Sequence, residues 1–264
     1  MLDLEDAVPP DLRPSARIAV AETLRRERAW VRINLAGTPD GDADLIAIGD
    51  LAAGVRMAKV ESPPEQVEWV VARLTAGIPI IAAIESARGL EAVGEIAAVP
   101  DLAGLSIGGG LDLANDLGVD STSMTLDHAR ARIVIASADR RLRAPIDSVH
   151  PDLSDPEGGL RHSTERARLI GFGSKSAIHP AQVPTINAVF APDAGRIAWA
   201  ERVLRAWERS SGSPTTTDAG EFVDPPVVDR ARSILGGMLA RRPPTSDVVA
   251  DPLARDRLRR AATR

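Results

Sequence analysis

Cysteine is absent from this 264-residue chain. That absence excludes disulfides, thiolate metal sites and a cysteine nucleophile, and it suits a cytoplasmic protein. A basic excess is also missing: 32 Lys and Arg against 37 Asp and Glu leave a formal net charge of −5. Without a polyanion-binding footprint, nucleic acid is not an expected partner. No run of about 18 apolar residues occurs, so no membrane span is expected. The opening residues, Met1-Leu2-Asp3-Leu4-Glu5-Asp6, lack the basic and apolar regions of a signal peptide, and a cytoplasmic location is expected. No Gly-x-Gly-x-x-Gly fingerprint is found, which leaves nucleotide binding weakly supported. Lysine is nearly missing: only Lys59 and Lys175 occur, and every other Lys/Arg position is arginine. That bias reads as compositional.

What is present is an alternation of short apolar stretches with segments of helical period, the pattern of a parallel sheet covered by helices. Strands are predicted over 2–6, 30–34, 54–60, 78–85, 102–108, 144–149 and 175–179. The segments between them read as helices. Among these, 14–26 places Ile18, Ala21 and Leu24 on one face, 64–75 places Val67, Val70, Val71 and Leu74, and 127–140 repeats the pattern. Helices near 180–189 and 194–209 close the series.

Two architectures fit this order, an open doubly wound sheet and a (β/α)8 TIM barrel. Polar residues recur at strand ends: Glu5 and Asp6, Arg32 and Asn34, Lys59 and Glu61, Glu85, Asp112, Asp147 and His179. A barrel brings all of them to one face, whereas an open sheet unites only those near a switch point. The expected fold is therefore α/β, a (β/α)8 TIM barrel over 1–209. Seven strands are one short, and because the chain opens inside a strand the absent βα unit is taken to be the first. The stretch 210–218, rich in Ser, Thr, Gly and Pro, reads as a flexible linker. With the helix candidate in 221–239 it forms a C-terminal extension over 210–240. The tail, 241–264, reads as disordered or partly helical, with no function assigned.

Two acids stand out. Glu85 closes the apolar run 78–84, and Asp112 follows Gly108-Gly109-Gly110-Leu111. Carboxylates at the ends of parallel strands hold divalent cations in many α/β barrels. Each also has an ordinary reading, Glu85 as a first-turn acid favoured by a helix dipole and Asp112 as an N-cap. The glycines before Asp112 favour a site, because they remove side chains where a ligand or another backbone must approach. Arg32 points out of the strand Val31-Arg32-Ile33-Asn34. It reads equally as a fork on a substrate carboxylate or as an ion-pair partner of Glu5, Asp6 or Glu61. Lys59 reads as a Schiff-base nucleophile or, more simply, as a partner for Glu5, Glu61 or Glu85. His179, before Pro180, reads as structural. Asp147 and Asp155 are candidates for orienting neighbours.

Several segments occur in an order that resembles the citrate lyase β-subunit-like group of the HpcH/HpaI aldolase family. They are Leu2-Asp3-Leu4-Glu5-Asp6-Ala7-Val8-Pro9, Val31-Arg32-Ile33-Asn34, Lys59-Val60-Glu61-Ser62 and Ile84-Glu85-Ser86-Ala87-Arg88-Gly89. The series continues with Gly109 to Gly118 around Asp112, Pro145-Ile146-Asp147, Gly171 to Lys175, Ile178 to Gln182, and Val223-Asp224-Pro225-Pro226-Val227-Val228. Each match alone is weak, and the ordered series is strong.

The resemblance implies a Mg2+-dependent carbon–carbon lyase that cleaves or forms a 3-hydroxyacyl-CoA thioester, giving an acyl-CoA and a 2-oxo acid, of citryl-, malyl- or citramalyl-CoA type. It implies Mg2+ on Glu85 and Asp112, and the oxo-acid carboxylate on Arg32. Substrate would also lie along Gly109, Gly110 and Lys59. Asp224 would be an acid–base residue of a C-terminal segment that caps a neighbouring subunit, usually in a homotrimer. Thioesterase and malate synthase chemistry share this metal and enolate logic. The competing readings are a Schiff-base aldolase using Lys59 and a degenerate, inactive barrel with a binding role.

Overall fold

The computed structural model describes residues 1–61, 65–75, 77–109, 111–155 and 158–236. The tail expected over 241–264 lies outside the described residues. Seven strands form one sheet: β1 (Leu2–Asp3), β2 (Trp30–Ile33), β3 (Gly54–Met57), β4 (Ile80–Ile84), β5 (Leu102–Ile107), β6 (Ile146–Asp147) and β7 (Ser174–Lys175). They pair in chain order, every pair parallel. A doubly wound sheet reverses its order at a switch point, and this one does not. Sequential parallel pairing with intervening helices is the wall of a (β/α) barrel. Among the described residues, β1 and β7 are the two ends of that wall.

The helices are α1 (Arg13–Arg26), α2 (Pro39–Ile48), α3 (Glu65–Arg73), α4 (Ala87–Glu91), α5 (Val93–Ala97), α6 (Leu111–Leu117), α7 (Met124–Asp139), α8 (Gly159–Ile170), α9 (Val183–Phe190), α10 (Ala194–Arg209) and α11 (Pro225–Leu235). Two further strands, β8 (Thr215–Thr216) and β9 (Phe222–Val223), form a small antiparallel hairpin. No described helix is long and apolar enough to cross a membrane.

Successive strand residues face opposite sides of the sheet. Val31, Ile33, Val55, Met57, Ile80, Ala82, Ile84, Leu105 and Ile107 face outward and make one hydrophobic core with the helices. The inward positions run in register from Asp3 to Arg32, Arg56, Ile81 and Gly104, and on the next level from Ala83 to Ser106, Ile146 and Ser174. None of these inward residues belongs to the apolar core. The barrel interior is lined by polar and small residues together with Ile81 and Ile146, and the large apolar cluster lies in the layer between strands and helices.

Several strands are shorter than predicted. Beyond β1 the chain leaves the ladder because side chains capture its amides: Glu5 N donates to Asp3 Oδ1 at 3.0 Å and Asp6 N to Glu5 Oε2 at 2.8 Å. The stretch read as a flexible linker is also different. It contains β8, paired with β9 across a turn that includes Gly220 at φ +81°. Val223 of β9 is buried in a second apolar cluster with Ala200, Val203 and Ala206 of α10 and Val228, Ala231 and Ile234 of α11. Pairing and burial together order a segment whose composition alone suggests flexibility.

Candidate active site

Glu85 follows β4 directly, and its surroundings follow from the local sequence. Ser86 caps α4, its Oγ accepting from Gly89 N at 3.1 Å. Gly89 is required by a close approach: a Cβ there would meet the Val60 carbonyl oxygen at 2.4 Å. This tight turn leaves Glu85 on the inward side, only 6% exposed. Gly108, next in line on β5's inward face, provides its space. A Cβ on Gly108 would lie 1.8 Å from Glu85 Cγ, and one on Gly109 would lie 2.5 Å from Asp112 Oδ2. The two glycines are therefore the floor on which the two carboxylates rest. Asp112 projects from the first turn of α6. Gly110, also expected at the site, lies outside the described residues.

Burial, reinforced by Glu5 and Asp112 and only partly opposed by Arg56 and Lys59, pushes the Glu85 carboxyl up to about 7. A buried acid short of positive charge is one that a divalent cation satisfies. Among the described residues no group of three or more His, Asp or Glu is gathered for a metal. Mg2+ does not require one, since it commonly keeps several waters and takes one or two carboxylates. The residues present fit a hard, oxygen-liganded cation.

Arg32 is ion-paired. Its Nε and Nη2 donate to the two carboxylate oxygens of Asp3 at 2.9 and 2.5 Å, and its Nη1 lies 3.1 Å from Glu5 Oε2. Glu5 is among the partners expected; Asp3 is not, although it shares the inward parity of Glu5 and lies in register with Arg32. Lys59 Nζ donates to Glu5 Oε1 at 2.6 Å and to Asp6 Oδ1 at 2.9 Å. Burial works to lower its pKa, and these bonds outweigh burial, holding the ammonium charged well above the ordinary lysine range. A Schiff-base nucleophile must be neutral, so this environment opposes that chemistry. The backbone of Lys59 is left-handed, φ 53°, and its N–H donates to Glu85 Oε2 at 3.2 Å. Non-glycine residues seldom adopt that conformation.

Arg56 escaped the sequence reading. It occupies the inward position of β3 beside Arg32, and its Nη1 reaches Ser176 Oγ across the barrel at 3.3 Å. The available signal was a single arginine inside the strand Val55-Arg56-Met57, in phase with Arg32.

Other candidates lie elsewhere. Asp224 caps α11, its Oδ1 accepting from Val227 N at 3.1 Å, beside the second apolar cluster. His179 caps a short 3-10 turn, its Nδ1 accepting from Ala181 N at 3.2 Å, a structural role. Asp147 is buried on the outward side, taking Lys175 Nζ at 2.6 Å and Arg130 Nε at 3.0 Å. Asp155 accepts from Gly158 N and Gly159 N at 2.7 and 2.8 Å, opening α8.

A parallel barrel wall with two carboxylates at neighbouring strand ends is an arrangement that α/β-barrel enzymes use to hold a divalent cation beside a substrate. Comparison with known proteins agrees. The family profile described as HpcH/HpaI aldolase/citrate lyase matches residues 1–180. A citrate lyase subunit beta-like protein of Mycobacterium tuberculosis is 36% identical over 245 residues, covering 89% of this chain and 85% of the relative. Mitochondrial citramalyl-CoA lyase of Rattus norvegicus is 29% identical over 89% of this chain and 77% of its own. The crystal structure of CitE from M. tuberculosis with magnesium, acetoacetate and coenzyme A superposes with a TM-score of 0.74, at 34% identity, covering 89% and 87% of the two chains. The chain belongs to the HpcH/HpaI aldolase/citrate lyase family.

Proposed function

We propose that the protein is a Mg2+-dependent lyase that cleaves or forms the carbon–carbon bond of a 3-hydroxyacyl-CoA, yielding an acyl-CoA and a 2-oxo acid. The observation that carries this reading is the Glu85 and Asp112 carboxylates lying over the bare backbone of Gly108 and Gly109. The similarity to citramalyl-CoA lyase and to CitE with magnesium and coenzyme A supports it.

Glu85 and Asp112 would hold Mg2+, which supplies electrophilic polarisation of the keto oxygen and charge balance for the alkoxide. The chain's own residues do the rest. Arg32, kept rigid by Asp3, presents positive charge to the substrate's carboxylate end. Lys59, clamped by Glu5 and Asp6, contributes a fixed positive charge and an amide that orients Glu85. Gly109, bare beside Asp112, leaves room for substrate at the metal, and Gly110 is assigned to the same substrate-binding stretch from the sequence. Asp224 would move the proton at the thioester α-carbon. Its place as the cap of α11, beside a second apolar cluster built from α10, β9 and α11, accords with delivery from a neighbouring subunit, with the barrel as residues 1–209, the cap as 210–240 and a homotrimer as the working form. A cytoplasmic setting accords with the absence of cysteine.

The test is turnover of a panel of 3-hydroxyacyl-CoAs with Mg2+, following acyl-CoA and 2-oxo acid together. Both products, abolished by EDTA, are expected. Free CoA and an intact hydroxy acid would instead identify a thioesterase. Borohydride trapping of a ketone on Lys59 would overturn the metal-dependent reading.

A further inference from the structure

Mg2+ demands near-ideal octahedral geometry, so the carboxylates that hold it must keep a set separation. Here they come from different elements. Glu85 opens the turn from β4 into α4, and Asp112 belongs to the first turn of α6. Glu85 is oriented directly, its Oε2 accepting from Lys59 N at 3.2 Å. Asp112 is placed by its helix. In sequence that helix follows three glycines, 108–110, which have no side chains to pack against a neighbour. Leu113 and Ala114 anchor one side of α6 in the apolar core. Its approach to the β4–α4 turn needs a further contact.

Asp116 supplies that contact. It lies four residues after Asp112, so the two side chains share a face of α6 one turn apart. Asp116 Oδ2 accepts from Ala87 N at 2.6 Å, across 29 residues of sequence. Ala87 is the first residue of α4 and stands two residues after Glu85. One bond therefore ties the helix that carries Asp112 to the turn that carries Glu85. Capping alone does not call for it, because Ser86 already caps α4 through Gly89 N, and an exposed first-turn N–H is readily satisfied by water.

We propose that Asp116 is a positioning residue for the metal site: by holding α6 on the β4–α4 turn it sets the separation of the Glu85 and Asp112 carboxylates. It acts through the two ligands and is not one of them. This rests on the metal-dependent lyase reading and adds a residue to it. The test is calorimetry of the full chain with Mg2+ alone at fixed pH, beside thermal melting of each variant. Asp116→Ala is expected to weaken Mg2+ binding by about tenfold or more, the scale on which partners of metal ligands act. Asp116→Asn removes the charge, keeps an acceptor for Ala87 N and is expected to bind as wild type does. Ala87→Pro removes the donor, keeps the Asp116 charge and is expected to match Asp116→Ala. Proline is tolerated at a first helical position, and Ser86 before it is already extended, φ −139° and ψ 163°, as a residue preceding proline prefers. If Asp116→Ala does not fold, the Asp116→Asn and Ala87→Pro pair decides the question. An alanine variant that melts lower but binds Mg2+ as wild type does makes Asp116 a cap only and overturns the proposal. An asparagine variant as weak as alanine, or a proline variant as strong as wild type, overturns it too, because charge and not the bond would then be at work. Each of these outcomes leaves the lyase reading standing, whereas a wild type that binds no Mg2+ overturns both.

Discussion

Glu85 holds its proton far above the usual carboxylate range, and the sign of the consequence is definite. With a folded pKa raised to about 7, the folded chain binds more protons than the unfolded one between the ordinary glutamate range and pH 7. The metal-free fold therefore loses stability as pH rises through that window. Mg2+ must displace the same proton, so its apparent Kd is expected to be about tenfold weaker at pH 6 than at pH 8. Calorimetry in buffers of different ionisation enthalpy measures both the affinity and the proton released. A flat profile would remove Glu85 as the ligand that titrates. The glycine floor gives a paired prediction. Gly108→Ala drives a methyl group into Glu85 and is expected to weaken Mg2+ binding by tenfold or more, whereas Gly104→Ala, on the same strand but with open space, leaves it unchanged; this follows from steric overlap alone. At this scale, the placement of Glu85 and Asp112 against adjacent glycines was legible because strand ends and glycines mark backbone proximity. Arg56 was not, because one in-phase arginine has no local signature that separates an unpaired donor from a salt bridge.

At the scale of elements, Asp224 joins a cap to a proposed reaction, and two substitutions separate them. Asp224→Ala removes the bond to Val227 N and is expected to cost about 1 kcal/mol in thermal or denaturant unfolding. Asp224→Asn keeps the cap but cannot exchange a proton, so it is expected to hold stability and lose turnover. Retained turnover in that variant would leave Asp224 as a cap only. A different element junction carries stability. Asp147 of β6 lies between Lys175 of β7 and Arg130 of α7, and the Lys175 and Asp147 side chains are 2% and 1% exposed. Asp147→Asn leaves buried cations without their counter-charge and is expected to cost about 3–5 kcal/mol, read from denaturant midpoints. The strand and helix series was legible from periodicity. Strand ends were not, because capture of the Glu5 and Asp6 amides by side chains depends on tertiary placement. The β8–β9 hairpin was hidden for a similar reason: its order comes from burying Val223 against α10, not from local propensity.

For the molecule as a whole, the barrel choice was legible because polar strand ends must converge somewhere, and parallel pairing in chain order bears this out. The position of Asp224 relative to Glu85 was not legible, since nothing in the chain's periodicity relates the two. If the cap acts between subunits, mixing inactive Asp224→Asn and Glu85→Gln proteins is expected to restore part of the activity, measured as turnover after subunit exchange. No recovery, with exchange verified by a mass-tagged partner, would place the acid within its own subunit. The separation of the barrel's two faces has one more consequence. The outward Val, Ile, Leu and Met residues of the strands form one apolar cluster with the helices, while Ile81, Gly104, Ile146 and Ser174 stand outside it. Substitution at those four positions therefore leaves that cluster untouched, so a barrel of this kind can vary its interior lining while its outer layer stays the same.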